Sequence, residues 1–160
     1  MTKVLSIGKS AEDGLKELLR FLLENGKVKG VITLRKTGEG DAVSYSLITN
    51  PGDIDSTVPL FPLMPVNLAK QLSRLTLIEA AAEPIAVVLK PCELRAFVEL
   101  VKRTQGSLEN ILFISSTCGG VYPLETAVER NIGEHLPQYW KAVEQGEPAS
   151  DIRLACRACE

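Results

Sequence analysis

Five leucines, Leu15, Leu18, Leu19, Leu22 and Leu23, recur at the three- and four-residue spacing of one helical face. Ser10 precedes them as an N-cap, and Glu12 and Asp13 fall in the first turn, where the helix dipole favours acids. Asn25-Gly26 closes the run as a C-cap, so the pattern predicts a helix over residues 11–24. KVLSI (residues 3–7) predicts a short strand or extended lead-in. VKGVITL (28–34) reads as a strand, residues 37–41 as a turn rich in hairpin residues, and AVSYSLI (42–48) as an alternating partner strand. Prolines 51, 59, 62 and 65 make residues 50–65 a surface loop. Loops of that length without structure of their own are uncommon and often functional. Leu60, Phe61, Leu63 and Met64 within it need a buried home, first against the domain's own sheet and second against a partner subunit.

In the second half strands alternate with helices. A short helix is predicted over residues 67–75, with 76–82 unassigned. IAVVLK (85–90) is nearly continuously apolar, the pattern of a strand covered on both faces. Pro91 suits the first turn of a following helix. Its inner stripe would be Leu94, Phe97, Val98 and Val101, with Glu93, Glu99, Lys102 and Arg103 outside. NILFISS (110–116) reads as another buried strand, which makes a right-handed parallel strand–helix–strand unit. A last helix is predicted over 125–146, with Leu136-Pro137 as a break or kink. The expected fold is α/β, with a mixed, mainly parallel sheet flanked by helices in a single domain over residues 1–160.

Composition narrows the function. Hydrophobic residues are 45% and charged residues 24%, which excludes a disordered chain. Lys+Arg 18 against Asp+Glu 20 gives a net charge of -2, which argues against nucleic acid or an anionic membrane as partner. Charges interrupt every apolar run before membrane-spanning length, and the first residues lack a signal-peptide pattern. A cytoplasmic location is expected.

The four cysteines, Cys92, Cys118, Cys156 and Cys159, carry the candidate chemistry. In a reducing compartment they read as packing residues, a redox pair or the ligands of one metal centre. Cys92 follows one predicted strand and Cys118 the next, so neighbouring parallel strands would aim both at the crevice beyond their carboxyl ends. Cys92 also falls in a first helical turn, where the dipole favours thiolate. Cys156-x-x-Cys159 supplies the other two thiols of a four-cysteine set, which suits a 4Fe-4S cluster or an all-cysteine zinc site. The dispersed spacing is unlike the two-knuckle zinc pattern and favours iron–sulfur. Lys90, Glu93 and Arg95 flank Cys92 and could line the crevice, although helix-surface solvation is the simpler account of Glu93 and Arg95. Tyr122 reads as a loop anchor, Tyr139 and Trp140 as core or subunit-contact residues, and His135 as a surface helix residue.

Taken together, IAVVLKPCELRAFVELVK, ENILFISSTCGG and RLACRACE resemble the beta-subunit family of coenzyme F-420-reducing hydrogenase and related dehydrogenases, in its formate-dehydrogenase-beta-like branch. Gly8-Lys9-Ser10 with the leucine-rich helix and VKGVITL resembles that family's N-terminal segment. The resemblance implies an oxidoreductase subunit that relays electrons between a flavin or hydride carrier and a 4Fe-4S cluster. Its partners would be hydrogenase, dehydrogenase or ferredoxin-like subunits. By motif, Cys92, Cys118, Cys156 and Cys159 would be the cluster ligands. Gly8, Lys9 and Ser10 would contact the phosphate of FAD at a helix N-terminus. Family members continue well beyond the Cys-x-x-Cys, so a fragment or small split subunit, inactive alone, is expected. The rival expectation is a zinc-binding or metal-free assembly domain. A thiol–disulfide oxidoreductase using Cys156 and Cys159 is a third, weaker fit, because that pair lies at a chain end expected to fray.

Overall fold

The computed structural model describes residues 10–38, 40–129 and 131–159. The expected lead-in over residues 3–7, with Gly8 and Lys9, lies outside them. Helix α1 (Ala11–Glu24) has the predicted limits, and the Ser10 hydroxyl accepts the Asp13 backbone N–H at 3.2 Å as its cap. Strand β1 (Gly30–Lys36) begins two residues later than the sequence suggests. Val28 instead uses its backbone N–H to close the preceding turn on Leu22 O, and Lys29 N–H donates to the distant Pro84 O. Strand β2 (Val43–Ile48) returns antiparallel, followed by a 3-10 turn over Pro51–Ser56 inside the expected loop. Helix α2 (Leu68–Thr76), strand β3 (Ile85–Val88), helix α3 (Pro91–Lys102) and strand β4 (Ile111–Ile114) follow.

The sheet order is β2-β1-β3-β4, with β1/β3 and β3/β4 parallel. This is the expected mixed, mainly parallel sheet. Alternate side chains feed two cores. Val31, Ala86 and Val88 join Leu19 of α1 and Ile54 of the 3-10 turn on one face. Ile32, Val87 and Leu89 join Leu68 and Leu72 of α2 and Phe97 of α3 on the other. Each fully buried Leu or Phe contributes roughly 1.5–3 kcal/mol. Strand β4 is a sheet edge, so Leu112 stays 45% exposed, and the reading of 110–116 as a strand buried on both faces is corrected.

A third core crowns the carboxyl ends of the strands. Leu34, Phe61, Leu63, Tyr122, Ile132, Tyr139, Ala149 and Ile152 form it, so the proline-rich loop finds its cover within the chain. The last predicted helix is two, α4 (Leu124–Glu129) and α5 (Ile132–Glu144), and its interruption precedes residue 132 rather than falling at Leu136-Pro137. Asp41, from the β1–β2 turn, accepts the Ile132 N–H and starts α5 from outside. Pro137 forfeits one helical bond and the helix runs through it. A short helix α6 (Leu154–Arg157) ends the described chain. Among the described residues no helix is long and apolar enough to cross a membrane.

Candidate functional site

Cys92 is the second residue of α3, two residues after Lys90, and Cys118 lies four residues beyond the end of β4. Because Val88 of β3 pairs in parallel with Ile114 of β4, both thiols emerge at the same edge of the sheet. The tail brings in the other pair. Ala149 N donates to Gly119 O at 3.5 Å and Arg153 N to Val121 O at 2.8 Å, while the Arg153 guanidinium reaches Met64 O. The tail is therefore docked where fraying was expected. Gly120 permits the tail's approach, and Gly119 permits the close packing of α5. A Cβ on Gly119 would stand 2.3 Å from Val143 Cγ2, and one on Gly120 would stand 2.6 Å from Ile152 Cδ1 and 3.2 Å from Cys156 Cβ. Gly120 also has φ +99, a conformation that disfavours any side chain. Finally, Arg95, one turn after Cys92 on α3, places its guanidinium 3.5 Å from Cys159 Sγ. It does more than solvate a helix surface.

Cys92 and Cys118 each feel the charge of other thiols. Burial raises the Cys92 pKa, Glu93 and Cys118 add to the rise, and Cys159 contributes less. Desolvation and the adjacent carboxylate thus outweigh the backbone hydrogen bond that favours the thiolate. Burial likewise raises Cys118, offset by backbone hydrogen bonding at Gly120 and by Lys90, with Cys156 and Cys159 opposing. All four cysteines are unbridged. Among the described residues no three His, Cys, Asp or Glu side chains converge tightly enough to grip a single metal ion.

Glu93 is not on the outside of α3 as the apolar stripe suggested; it is fully buried. Its carboxylate accepts Leu68 N at 2.7 Å, Lys90 N at 3.0 Å and the Tyr45 hydroxyl at 3.0 Å. It thereby caps the amino ends of α2 and α3 together and ties both to β2. One signal could have revealed it: Glu93 stands three residues after the helix-preceding Lys90, the reciprocal position of a capping box. Tyr45 is held neutral, its pKa raised by burial and then by Glu93. Lys90 donates from Nζ to Leu63 O at 2.9 Å.

Of the expected phosphate-contact residues, only Ser10 lies within the described residues. Its hydroxyl already caps α1 and donates to Asp13 Oδ2 at 2.6 Å, and Glu12 and Asp13 place negative charge at that turn. Tyr122 is a buried loop anchor whose N–H donates to Pro62 O. Tyr139 is buried in the crown, donates to Gly120 O at 2.9 Å and meets Trp140 edge-on at 5.0 Å. His135 is exposed.

Fold and geometry define an α/β domain that gathers four cysteines at the carboxyl edge of its sheet. Two curated relatives share this chain's sequence. It is 36% identical over 115 residues, 70% of the chain, to the "F420-dependent formate dehydrogenase 1 subunit beta" of Methanococcus maripaludis. It is 30% identical over 112 residues to the "F420-dependent formate dehydrogenase subunit beta" of Methanocaldococcus jannaschii. The chain spans 28% of the length of each. It is thus a homologue of part of these beta subunits, as the three cysteine motifs led one to expect. No family model matches the chain.

Proposed function

We propose that this chain is the iron–sulfur part of an electron-transfer subunit in a formate-dehydrogenase, hydrogenase or related redox complex. The observation that carries the reading is that the three cysteine-bearing segments, the start of α3, the exit from β4 and the docked tail, meet beyond the carboxyl ends of the strands. The dispersed spacing of the four cysteines is unlike the two-knuckle zinc pattern and favours a 4Fe-4S cluster. Cys92, Cys118, Cys156 and Cys159 would hold a 4Fe-4S cluster, which takes up and releases single electrons. The protein's part is to fix the thiols, with Gly120 admitting the tail and Arg95 steadying Cys159. The relatives are named F420-dependent formate dehydrogenase subunits, and the family resemblance of Gly8-Lys9-Ser10 adds FAD beside the cluster, with hydride exchange to a deazaflavin carrier, to the reading. That step would belong to the assembled complex with its dehydrogenase or ferredoxin-like partners, in the cytoplasm.

The test is iron, acid-labile sulfide and zinc content, with an absorption spectrum, on protein purified without oxygen. About four irons and four sulfides per chain, lost in Cys92→Ser or Cys118→Ser, would support the reading. One zinc and no sulfide would replace it with a structural metal domain.

A further inference from the structure

Strand β2 is an outer edge of the sheet, and among the described residues no strand lies beyond it. Its register with β1 fixes which of its backbone groups face outward. Leu34 O accepts Val58 N at 2.8 Å on the side of β1 away from β2, so the Leu34–Tyr45 pair exchanges no hydrogen bonds. Ala42 O, by contrast, accepts Thr37 N at 3.0 Å. The even-numbered residues of β2 therefore bond to β1, and Val43, Tyr45 and Leu47 turn their N–H and C=O groups to the open edge. Natural edges are guarded by charge, proline, bulges or brevity. VSYSLI has no charge and no proline, pairs with β1 without a bulge, and is longer than the four-residue edge strand β4. Beside it, a groove of about 320 Å³ separates β2 from α2, floored by Ile32 and Leu68 and flanked by Leu47, Val66 and Leu75. Leu47 is 59% exposed, Leu75 66%, and Ile78, just past α2, 99%.

We propose that this edge is a self-association surface: two copies of the chain pair β2 with β2, antiparallel, about a twofold axis at Tyr45. The two four-stranded sheets then become one, and every outward backbone group gains a partner. The strand is self-complementary in this register, because the twofold sets Val43 of each copy opposite Leu47 of the other, apolar against apolar. It also brings the carboxyl end of one α2, with Leu75, toward the amino end of the other, with Val66, so that each groove is closed by the second copy. The area suffices. The chain exposes 9857 Å² over 160 residues, about 60 Å² each. The six residues of β2 with Pro65, Val66, Gln71, Leu75, Leu77 and Ile78 thus offer roughly 700 Å², near the ~800 Å² per partner that a standard interface buries. The proposal is independent of the iron–sulfur reading.

The test is sedimentation equilibrium over a range of concentrations, with the thiols kept reduced so that exposed cysteines cannot cross-link copies. A dimer is expected, with the Tyr45 and Leu47 amides protected from hydrogen exchange. Leu47→Lys, which charges the edge, and the double variant Leu75→Glu/Ile78→Glu, which charges the groove, should each weaken the dimer at least about tenfold while keeping the parent's circular dichroism. Leu112→Lys on the opposite edge strand should leave it intact. A chain that stays monomeric at every concentration overturns the proposal and leaves the edge to a different polypeptide. A dimer that survives both charge changes, or one lost in Leu112→Lys, overturns it as well.

Discussion

Cys92 and Glu93 are neighbours in the first turn of α3, yet the thiol is exposed while the carboxylate is sealed in the protein. Glu93 accepts from three donors on three elements, so burying it leaves no polar group unmatched. Cys92 has the Glu93 backbone, and partial desolvation and neighbouring negative charge work against its ionised form. The contrast separates a residue that holds the scaffold from one presented by it. Sequence adjacency does not imply a shared role.

The strongest challenge to this division is Glu93→Ala, which would leave Leu68 N, Lys90 N and the Tyr45 hydroxyl without their acceptor. Denaturant titration should show a loss of about 3–5 kcal/mol. A loss near zero would mean that the carboxylate is not a structural node. On the presenting side, Gly120→Ala forces a Cβ against Ile152 and Cys156 at positive φ. It should cost about 1–3 kcal/mol and lower iron content, with the sheet's circular dichroism retained. Tyr45→Phe should cost roughly 1–2 kcal/mol at neutral pH.

The Tyr45 substitution should also sharpen the picture at alkaline pH. The tyrosine pKa is raised in the folded protein, so the stabilisation it provides is complete below the ordinary tyrosine value of about 10 and is lost as pH rises above it. Tyr139 behaves in the same direction. Stability should therefore fall above about pH 10, and less steeply in Tyr45→Phe. The smallest effect is expected from Asp55→Ala at the exposed Arg20–Asp55 ion pair, within about 1 kcal/mol and shrinking further in salt.

Local patterns disclosed most of the scaffold. Leucine spacing with Ser10 and Asn25-Gly26 set the limits of α1, and apolar runs located β3 and β4, because these signals are carried by neighbouring residues. What escaped depended on distant ones. Glu93 was assigned outward since its enclosing partners, Tyr45 and Leu68, come from β2 and the start of α2. Asp41 starts α5 from 91 residues away, so attention fell on Pro137 instead. For the site, motif spacing named the four cysteines together, and the close approach at the paired glycines after Cys118 went unread. That Arg95 would meet Cys159 was hidden, because only the docked tail creates that contact.

The docking of the tail has a consequence for biogenesis. Cys156 and Cys159 follow every strand in chain order, and the segment that carries them is held by Gly119, Val121 and Met64 rather than by its own neighbours. As the ribosome extends the chain, the sheet and Glu93 node can be complete while only two of the four thiols exist. Loading of a metal centre on all four cysteines would then wait for the segment that carries Cys156 and Cys159, and until it emerges the nascent protein would carry Cys92 and Cys118 as an open, oxidisable half-site.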